Sequence, residues 1–244
     1  MRIIITRPPE DAKATITQLN TIGHEGILAP LLEIAAVKST HLPDEKWQAI
    51  LVSSANGVRA LESLDFAEDL KKFPLLAVGD ASAKIAKDAG FQRVASANGD
   101  LNALVEKASE TLKPADGPLL YLSGKVVSGD LKTQLELRGF IVHRLELYEA
   151  NAALKMPDAA AQALANHDAD GVALFSRRSA KIWLSFLPMP GFLEAATELT
   201  HFCLSQAVAD ELGADWPSQK RRPRIIVAKS ANMTGFLSSV SDTA

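Results

Sequence analysis

An internal repeat limits the folds open to this chain more than any other feature of the sequence. The stretch IIITRPPEDAKATITQLNTIGHEGILAPLLE, which begins at Ile3, aligns without a gap with LLYLSGKVVSGDLKTQLELRGFIVHRLELYE, which begins at Leu119. Three looser pairs follow in the same order: ILVSSANGVRAL with VALFSRRSAKIWL, LLAVGDASAKIAKDAG with HFCLSQAVADELGAD, and VASANGDLNAL with VAKSANMTGFL. The repeat predicts two similar halves, each built from four strand–helix units.

Apolar and β-branched runs alternate along the chain with segments of helical periodicity. In the first helical segment Ile16, Leu19 and Ile22 fall on one face. Strands that alternate with helices of this length predict doubly wound α/β domains, in which helices cover both faces of a parallel sheet. The predicted strands are 3–6, 27–31, 49–53, 75–78, 119–122, 142–147, 171–175, 201–204 and 224–227, and the clearest helices are 12–22, 81–89 and 131–138.

Composition narrows the class of protein. A net charge of -3 and an aromatic content of 6% argue against a general nucleic-acid binder. Cys203 is the single cysteine, so no intramolecular disulfide can form, and no apolar run reaches the length of a membrane span. The sequence has no HExxH, CxxC or GxGxxG motif and no P-loop. We expect a cytoplasmic protein that binds no nucleic acid, membrane, metal or cofactor.

The whole chain resembles the uroporphyrinogen-III synthase family. The matching pieces are Thr6-Arg7-Pro8, SSANGV, AVGDASA, LYLSG and the LYE that contains Tyr148. The resemblance implies two small flavodoxin-like domains, 1–34 with 151–244 and 35–150, joined over a cleft by two crossing strands. The extended stretches 31–47 and 147–162 lie where those crossing strands are expected.

The resemblance also implies a reaction. Family members cyclise hydroxymethylbilane, a linear tetrapyrrole with eight carboxylates, to uroporphyrinogen III, with loss of water and inversion of the last ring. The reaction is that of a lyase in haem biosynthesis and needs no cofactor. The expected partners are this small-molecule substrate and, in transient contact, the preceding enzyme of the pathway, and the expected state is a monomer.

The turns that follow the predicted strands are the candidate binding site, because ligands of doubly wound sheets lie outside the carboxyl ends of the strands. A helix that begins in such a turn offers unpaired backbone N–H groups to carboxylates. The candidate substrate-binding residues are Thr6, Arg7, Ser53, Ser54, Asn56, Gly79, Ser82, Ser123, Gly124, Lys125, Ser176, Arg177, Arg178 and Ser205. Tyr148 is the candidate for modest catalytic assistance to departure of the substrate hydroxyl.

Each candidate also has an ordinary structural interpretation. A serine in such a turn commonly caps a helix, and Arg7 can form a structural salt bridge. Arg177 and Arg178 replace the hydroxyl-rich turn that is usual in the family, either as a solvated pair or as carboxylate ligands. The cluster around His167 invites a metal interpretation but precedes a predicted strand, at the end away from the candidate site.

Two rival functions stay open at this point. A non-catalytic pair of α/β domains that closes on an anionic small molecule is favoured by the altered turns at 176–179 and 205–208. A nucleotide-dependent enzyme is disfavoured by the lack of a phosphate-binding motif.

Overall fold

The computed structural model describes residues 1–37, 41–127 and 129–243, so residues 38–40 of the first expected crossing stretch lie outside the described part. Its strands are β1 (Arg2–Ile5), β2 (Glu25–Leu28), β3 (Leu32–Ala36), β4 (Ala49–Val52), β5 (Leu75–Ala77), β6 (Val94–Ser96), β7 (Leu119–Gly124), β8 (Val142–Ala152), β9 (Gly171–Leu174), β10 (Thr200–Cys203) and β11 (Arg224–Val227). Its α-helices are α1 (Pro9–Thr21), α2 (Ala55–Leu61), α3 (Ala67–Leu70), α4 (Asp80–Asp88), α5 (Leu101–Thr111), α6 (Leu131–Glu136), α7 (Asp158–Ala165), α8 (Arg177–Leu184), α9 (Phe192–Glu198), α10 (Gln206–Ala214) and α11 (Met233–Ser241).

Every predicted strand overlaps an observed one. The strand β6 escaped prediction because its three residues are only half-buried and carry little apolar signal. The strand β8 continues to Ala152 and so takes in the start of the second extended stretch. The alternation of apolar runs and helical segments therefore predicted the elements well, and their ends less well.

By their contacts the described residues divide into two compact units. Unit 1 comprises Met1–Glu33 and Asn151–Ala244, and unit 2 comprises Ile34–Ala150. Both boundaries between the units fall inside strands, one in β3 and one in β8. These two strands are neighbours in the same sheet.

The two sheets have equivalent strand orders. The sheet of unit 1 is β11-β10-β9-β1-β2, with parallel pairing throughout. The other sheet is β6-β5-β4-β7-β8-β3, and its pairs from β6 to β8 are also parallel. The expected α/β class with two doubly wound, mostly parallel sheets is confirmed.

The repeat explains why the two orders agree. The segments β1-α1-β2 and β7-α6-β8 are the first repeated pair. In the sheets they are exchanged between the halves of the chain: β1 and β2 lie beside β9, β10 and β11, whereas β7 and β8 lie beside β4, β5 and β6. The second and third pairs also place strands and helices at equivalent positions. In the fourth pair only the order of strand and helix is shared, because Val94 begins β6 whereas Val227 ends β11.

Each sheet is buried on both faces by helices. In unit 1, α1 and α11 cover one face around Ile3 and Phe202, and a larger cluster around Trp183 covers the other. In unit 2, α2 and α4 pack on the face of Val52, and α5 and α6 pack on the face of Tyr121. This double coverage requires the continuous apolar runs seen in β1, β4, β7 and β9.

His201 is a fully buried histidine inside unit 1. Its ring lies between Trp183 and Trp216, at centroid distances of 6.0 and 5.7 Å. Trp183 Nε1 donates a hydrogen bond to His201 Nε2 at 3.1 Å, which leaves the ring proton on Nδ1. Burial lowers the pKa of His201 to about 4, and an interaction with the backbone of Leu199 opposes this only in part.

We predict that this histidine makes unit 1 less stable in mild acid. In the unfolded chain His201 becomes protonated below its ordinary pKa of 6.5. In the native protein the ring stays neutral until the pH reaches about 4. The free energy of unfolding therefore falls as the pH decreases through this window. His201→Gln keeps an acceptor for Trp183 but cannot be protonated, so denaturant titrations at pH 7 and 4.5 should show wild type losing about 2–3 kcal/mol more than the variant. Equal losses in the two proteins would contradict the prediction.

Candidate functional site

The sequence-predicted residues lie at the carboxyl ends of the parallel strands in both units. In unit 1 the turns after β1, β9 and β10 carry them, and in unit 2 they follow β4 and β5 or end β7. Within each unit these ends share one edge of the sheet, which we call the carboxyl rim. The order in which the chain adds strands to the sheet reverses between β1 and β9 in unit 1, and between β7 and β4 in unit 2. Doubly wound sheets place their ligands at such a reversal.

Thr6 and Arg7 mark this position in unit 1. The Thr6 hydroxyl is buried and donates to Ala173 O at 2.6 Å, which joins β1 to β9. The Arg7 guanidinium lies 4.9 Å from the centre of the Phe175 ring, 3.3 Å from Asp11 Oδ2 and 3.4 Å from Thr15 Oγ1. The hydroxyl of Thr6 thus holds the sheet together, while Arg7 is fixed in place as a half-buried cation.

The turn after β9 is held by its own side chains. Ser176 and Ser179 form a capping box at the start of α8. Arg177 Nε donates to Glu211 Oε2 at 2.8 Å, and Lys181 Nζ lies 3.3 Å from the other oxygen of the same carboxylate. The hydrogen bond from Arg177, with help from Lys181, keeps the pKa of Glu211 below its ordinary value against the opposing effect of burial. Arg177 is therefore an ion-pair partner of α10, and Arg178 is half-buried beside it.

The helices of the rims differ in how their first N–H groups are satisfied. Ser54 accepts a hydrogen bond from Asn56 N at 3.2 Å, and Asn56 Oδ1 in turn accepts one from Arg59 at 2.8 Å. By contrast the N-cap residues of α4 and α10 are Gly79 and Ser205, and neither helix has a side-chain cap. These two uncapped helices occupy equivalent positions in the repeat. No side chain caps the first-turn N–H groups of either helix; the first turn of α4 contains Asp80, whereas that of α10 has no acidic residue.

Unit 2 brings several of the remaining candidates together around β7. Arg144 Nε donates to the buried Ser123 hydroxyl at 2.8 Å, and Arg144 Nη2 donates to both Gly124 O and Lys125 O at 2.7 Å. The Lys125 ammonium is exposed and lies 3.4 Å from Glu149. Arg144 therefore fixes the end of β7, a role that sequence reasoning missed because it depends on the register between β7 and β8.

Tyr148 owes its direction to an irregularity in β8. The register passes from Ser123 with Glu146 to Gly124 with Tyr148, so Leu147 is an extra residue that forms a bulge. Leu147 and Tyr148 consequently both contribute to the core on the α2 and α4 face. The Tyr148 ring packs directly on Gly124, where a Cβ atom would lie 2.8 Å from its Cε2.

A second tyrosine lies at the same rim. The Tyr121 hydroxyl is 2.7 Å from Ser53 Oγ, and the Tyr121 side chain is almost completely buried. Burial raises the pKa of Tyr121, and the hydrogen bond with Ser53 opposes this; nearby Tyr148 raises it further, whereas Arg144 lowers it. Ser53, Arg144 and Tyr148 are thus close enough to Tyr121 to affect its pKa. Ser82, in the first turn of α4, is buried.

The described residues also bear on metal binding and on insertion into a membrane. No group of three or more His, Cys, Asp or Glu side chains in ranges 1–37, 41–127 and 129–243 is arranged to hold a metal ion. Asp168 and Asp170 instead bind Arg2, and His167 pairs with Glu198. Cys203 is buried, which raises the pKa of its thiol to about 12. Among the helices of the described part, none combines the length and apolar character needed to cross a membrane.

These features define a doubly wound α/β protein with two equivalent sheets whose carboxyl rims carry hydroxyl groups and uncapped helices. The family model described as uroporphyrinogen-III synthase HemD matches residues 13–237. The chain belongs to the uroporphyrinogen-III synthase family, whose members are enzymes of tetrapyrrole biosynthesis that act on a small molecule. The resemblance seen in the sequence is confirmed.

Solved structures agree with this assignment at the level of the fold. A uroporphyrinogen-III synthetase from Helicobacter pylori is 16% identical, with a TM-score of 0.66 and 100% of each chain covered. A mutant uroporphyrinogen III synthase from the extremely thermophilic bacterium Thermus thermophilus is 18% identical, with a TM-score of 0.54 over 99% of this chain and 98% of the other. Comparison with curated protein sequences gave no significant match.

We predict that Gly124 is required for the position of Tyr148. In Gly124→Ala the new methyl group would lie 2.8 and 2.9 Å from Cε2 and Cζ of the ring, so the ring must move. We expect a loss of about 1–3 kcal/mol in the free energy of unfolding, measured by denaturant titration. The loss should largely disappear when Tyr148→Ala removes the ring. A Gly124→Ala cost that persists in the Tyr148→Ala background would contradict this explanation.

Gly213→Ala is the matched control. Gly213 lies near the end of α10, and a Cβ atom added there would have no neighbour within 4 Å, so alanine meets open space. Higher helix propensity should leave this variant as stable as wild type or up to about 1 kcal/mol more stable.

Proposed function

We propose that the chain is a hydro-lyase that cyclises hydroxymethylbilane to uroporphyrinogen III with loss of water and inversion of the terminal pyrrole ring. The observation that carries the proposal is the family match over residues 13–237. The two doubly wound sheets, each with a carboxyl rim suited to anions, support it.

The reaction demands positioning more than acid–base strength. Loss of the substrate hydroxyl leaves a reactive azafulvene-like cation, which closes without inversion when no protein guides it. Fixing the two ends of the chain in one geometry favours a single closure, and fixed dipoles stabilise the developing charge. The rims must therefore hold the carboxylates of the substrate at defined points.

Main-chain donors are the best-placed groups for this task. The hydroxyls of Thr6 and Ser123 are buried in hydrogen bonds within the chain, and Ser54 and Ser176 cap their own helices. The starts of α4 and α10 lack such caps. We assign one substrate carboxylate to each of these helix ends, where N–H groups and the helix dipole favour negative charge. This assignment reconciles a net charge of -3 with a polyanionic substrate.

Side chains at the rims have secondary roles in binding and catalysis. Arg7 and Lys125 add positive charge, and Arg177 and Arg178 extend this field beside α8. Tyr148 assists departure of the hydroxyl. A phenol is a weak acid, so the contribution of Tyr148 is modest.

The remaining expectations complete the proposal. The contact-based division of the chain supports two domains, close to 1–34 with 151–244 and to 35–150. We propose a cytoplasmic monomer that requires no cofactor and meets the preceding pathway enzyme only transiently.

Isomer analysis tests the proposed activity. Purified protein would be incubated with freshly prepared hydroxymethylbilane, the products oxidised, and the uroporphyrin isomers separated by chromatography. We expect a large excess of isomer III over a control without protein, because the enzyme must impose ring inversion. Isomer I alone, formed at the spontaneous rate, would refute the enzymatic proposal and favour a binding protein for an anionic small molecule.

We predict that an acidic cap on α4 weakens substrate binding. Gly79 has extended backbone angles, and a Cβ at this position would meet no atom within 4 Å, so substitution is accommodated. In Gly79→Asp the new carboxylate would occupy the first N–H groups of α4 and repel the substrate. We expect the KM for hydroxymethylbilane to rise about tenfold, with thermal stability unchanged or higher.

Two neutral variants separate the effects of charge and capping. Gly79→Asn caps the helix without charge and should raise KM less than Gly79→Asp does. Gly79→Ala provides no cap and should leave KM within about twofold of wild type. A wild-type KM in Gly79→Asp would remove α4 from the proposed binding site.

A further inference from the structure

The pair of hydroxyls formed by Ser53 and Tyr121 has a defined direction. The two oxygen atoms are 2.7 Å apart, and either can donate by distance alone. Tyr121 is 1% exposed, and in the described part of the chain its hydroxyl bonds to no other group. If Tyr121 accepted a proton from Ser53, its own buried O–H would have no acceptor, which is costly. In the neutral pair we therefore assign the Tyr121 hydroxyl as the donor and the Ser53 hydroxyl as the acceptor.

This direction leaves the Ser53 proton for a second partner. Ser53 follows the last residue of β4 and is half-buried at the carboxyl rim, next to the strand on which Tyr121 lies. Its hydroxyl is a better donor once it accepts a bond from a phenol, because successive hydrogen bonds polarise one another. The Arg144 guanidinium, which acts electrostatically on Tyr121, is held by Ser123, by two backbone carbonyls and by an ion pair with Glu146 Oε1 at 3.2 Å, so Ser53 is the donor that this end of the rim leaves for a ligand.

We propose that Tyr121 is a positioning residue that fixes the Ser53 hydroxyl as a hydrogen-bond donor to a carboxylate of the substrate. This inference rests on the proposed function and deepens it, because it names a side-chain donor in unit 2 in addition to the uncapped start of α4. Tyr121 itself stays buried and does not touch the substrate. Its removal changes binding only through Ser53.

A double-mutant cycle tests the inference. Tyr121→Phe removes the donor, so the Ser53 hydroxyl loses its fixed direction, and Ser53→Ala removes the hydroxyl itself. We expect each single variant to raise the KM for hydroxymethylbilane about threefold to tenfold and to change kcat by less than about twofold. The double variant should have the same KM as Ser53→Ala, because without the Ser53 hydroxyl Tyr121 has nothing to position. Ser53→Thr keeps a hydroxyl and should retain a KM close to that of wild type.

A direct binding measurement separates this inference from the proposed function. Uroporphyrin III, a cyclic octacarboxylate, serves as the probe, and its dissociation constant is measured by fluorescence for each variant. We expect the same order of affinities as for KM. A wild-type protein that binds the probe without forming isomer III would overturn the proposed activity and leave this inference standing if the variants bind more weakly.

Three results would overturn the inference itself. The first is an unchanged or lower KM and dissociation constant in Tyr121→Phe, which would mean that Ser53 donates inward in the wild type. The second is independent, additive effects of the two substitutions, as expected for a purely structural role of Tyr121. The third is a wild-type protein that neither converts hydroxymethylbilane nor binds uroporphyrin III.

Ser239→Ala controls for the loss of a buried hydroxyl elsewhere in the fold. Ser239 is buried in α11 of unit 1, where its hydroxyl donates to Gly235 O at 2.8 Å. The substitution should leave KM unchanged. Thermal unfolding of every variant shows whether the native fold is retained, and the Ser53→Ala and Ser53→Thr comparison stands even if Tyr121→Phe does not fold.

Discussion

The parallel pairing of β1 with β9 is the interaction on which unit 1 depends. It joins Ile3 to Gly171, so the first strand and helix of the chain complete a sheet whose other main strands come from its last third. The buried Thr6 hydroxyl strengthens the same pair by its bond to Ala173 O. In unit 2 the equivalent pair, β7 with β4, brings Tyr121 beside Ser53. Both carboxyl rims are therefore assembled by strands that are distant in sequence.

The strands and helices could be predicted from the sequence because each is indicated by a local pattern of residues. A strand buried on both faces needs a continuous apolar run, and a helix over the sheet needs a repeating apolar face, whatever their partners are. The direction of Tyr148 had no such signal. It depends on the bulge at Leu147, and a bulge arises from the register of β8 against β7. The role of Arg144 depends on the same register.

The candidate site was predictable in its location but only partly in its chemistry. Ser54, Ser176 and Ser205 all occupy the N-cap position of a helix that follows a parallel strand, yet Ser205 alone of these three makes no capping bond. Ser176 is followed three positions later by Ser179, which completes a capping box, whereas Ser205 is followed at that position by Val208. Sequence patterns thus locate a rim, whereas the bonds that occupy the hydroxyls of Thr6 and Ser123 are made with Ala173 and Arg144 on neighbouring strands.

During translation, the two segments of unit 1 are made at different times. Unit 2 is continuous in the chain, so its sheet can assemble once β8 has been synthesised. The apolar faces of β1 and α1 include Ile3, Ile5 and Leu19. They can be buried only after β9, β10 and α11 have been synthesised. The earlier-synthesised segment of unit 1 is therefore buried only after the later one has been made, and it must be kept from aggregation during the synthesis of the residues between them.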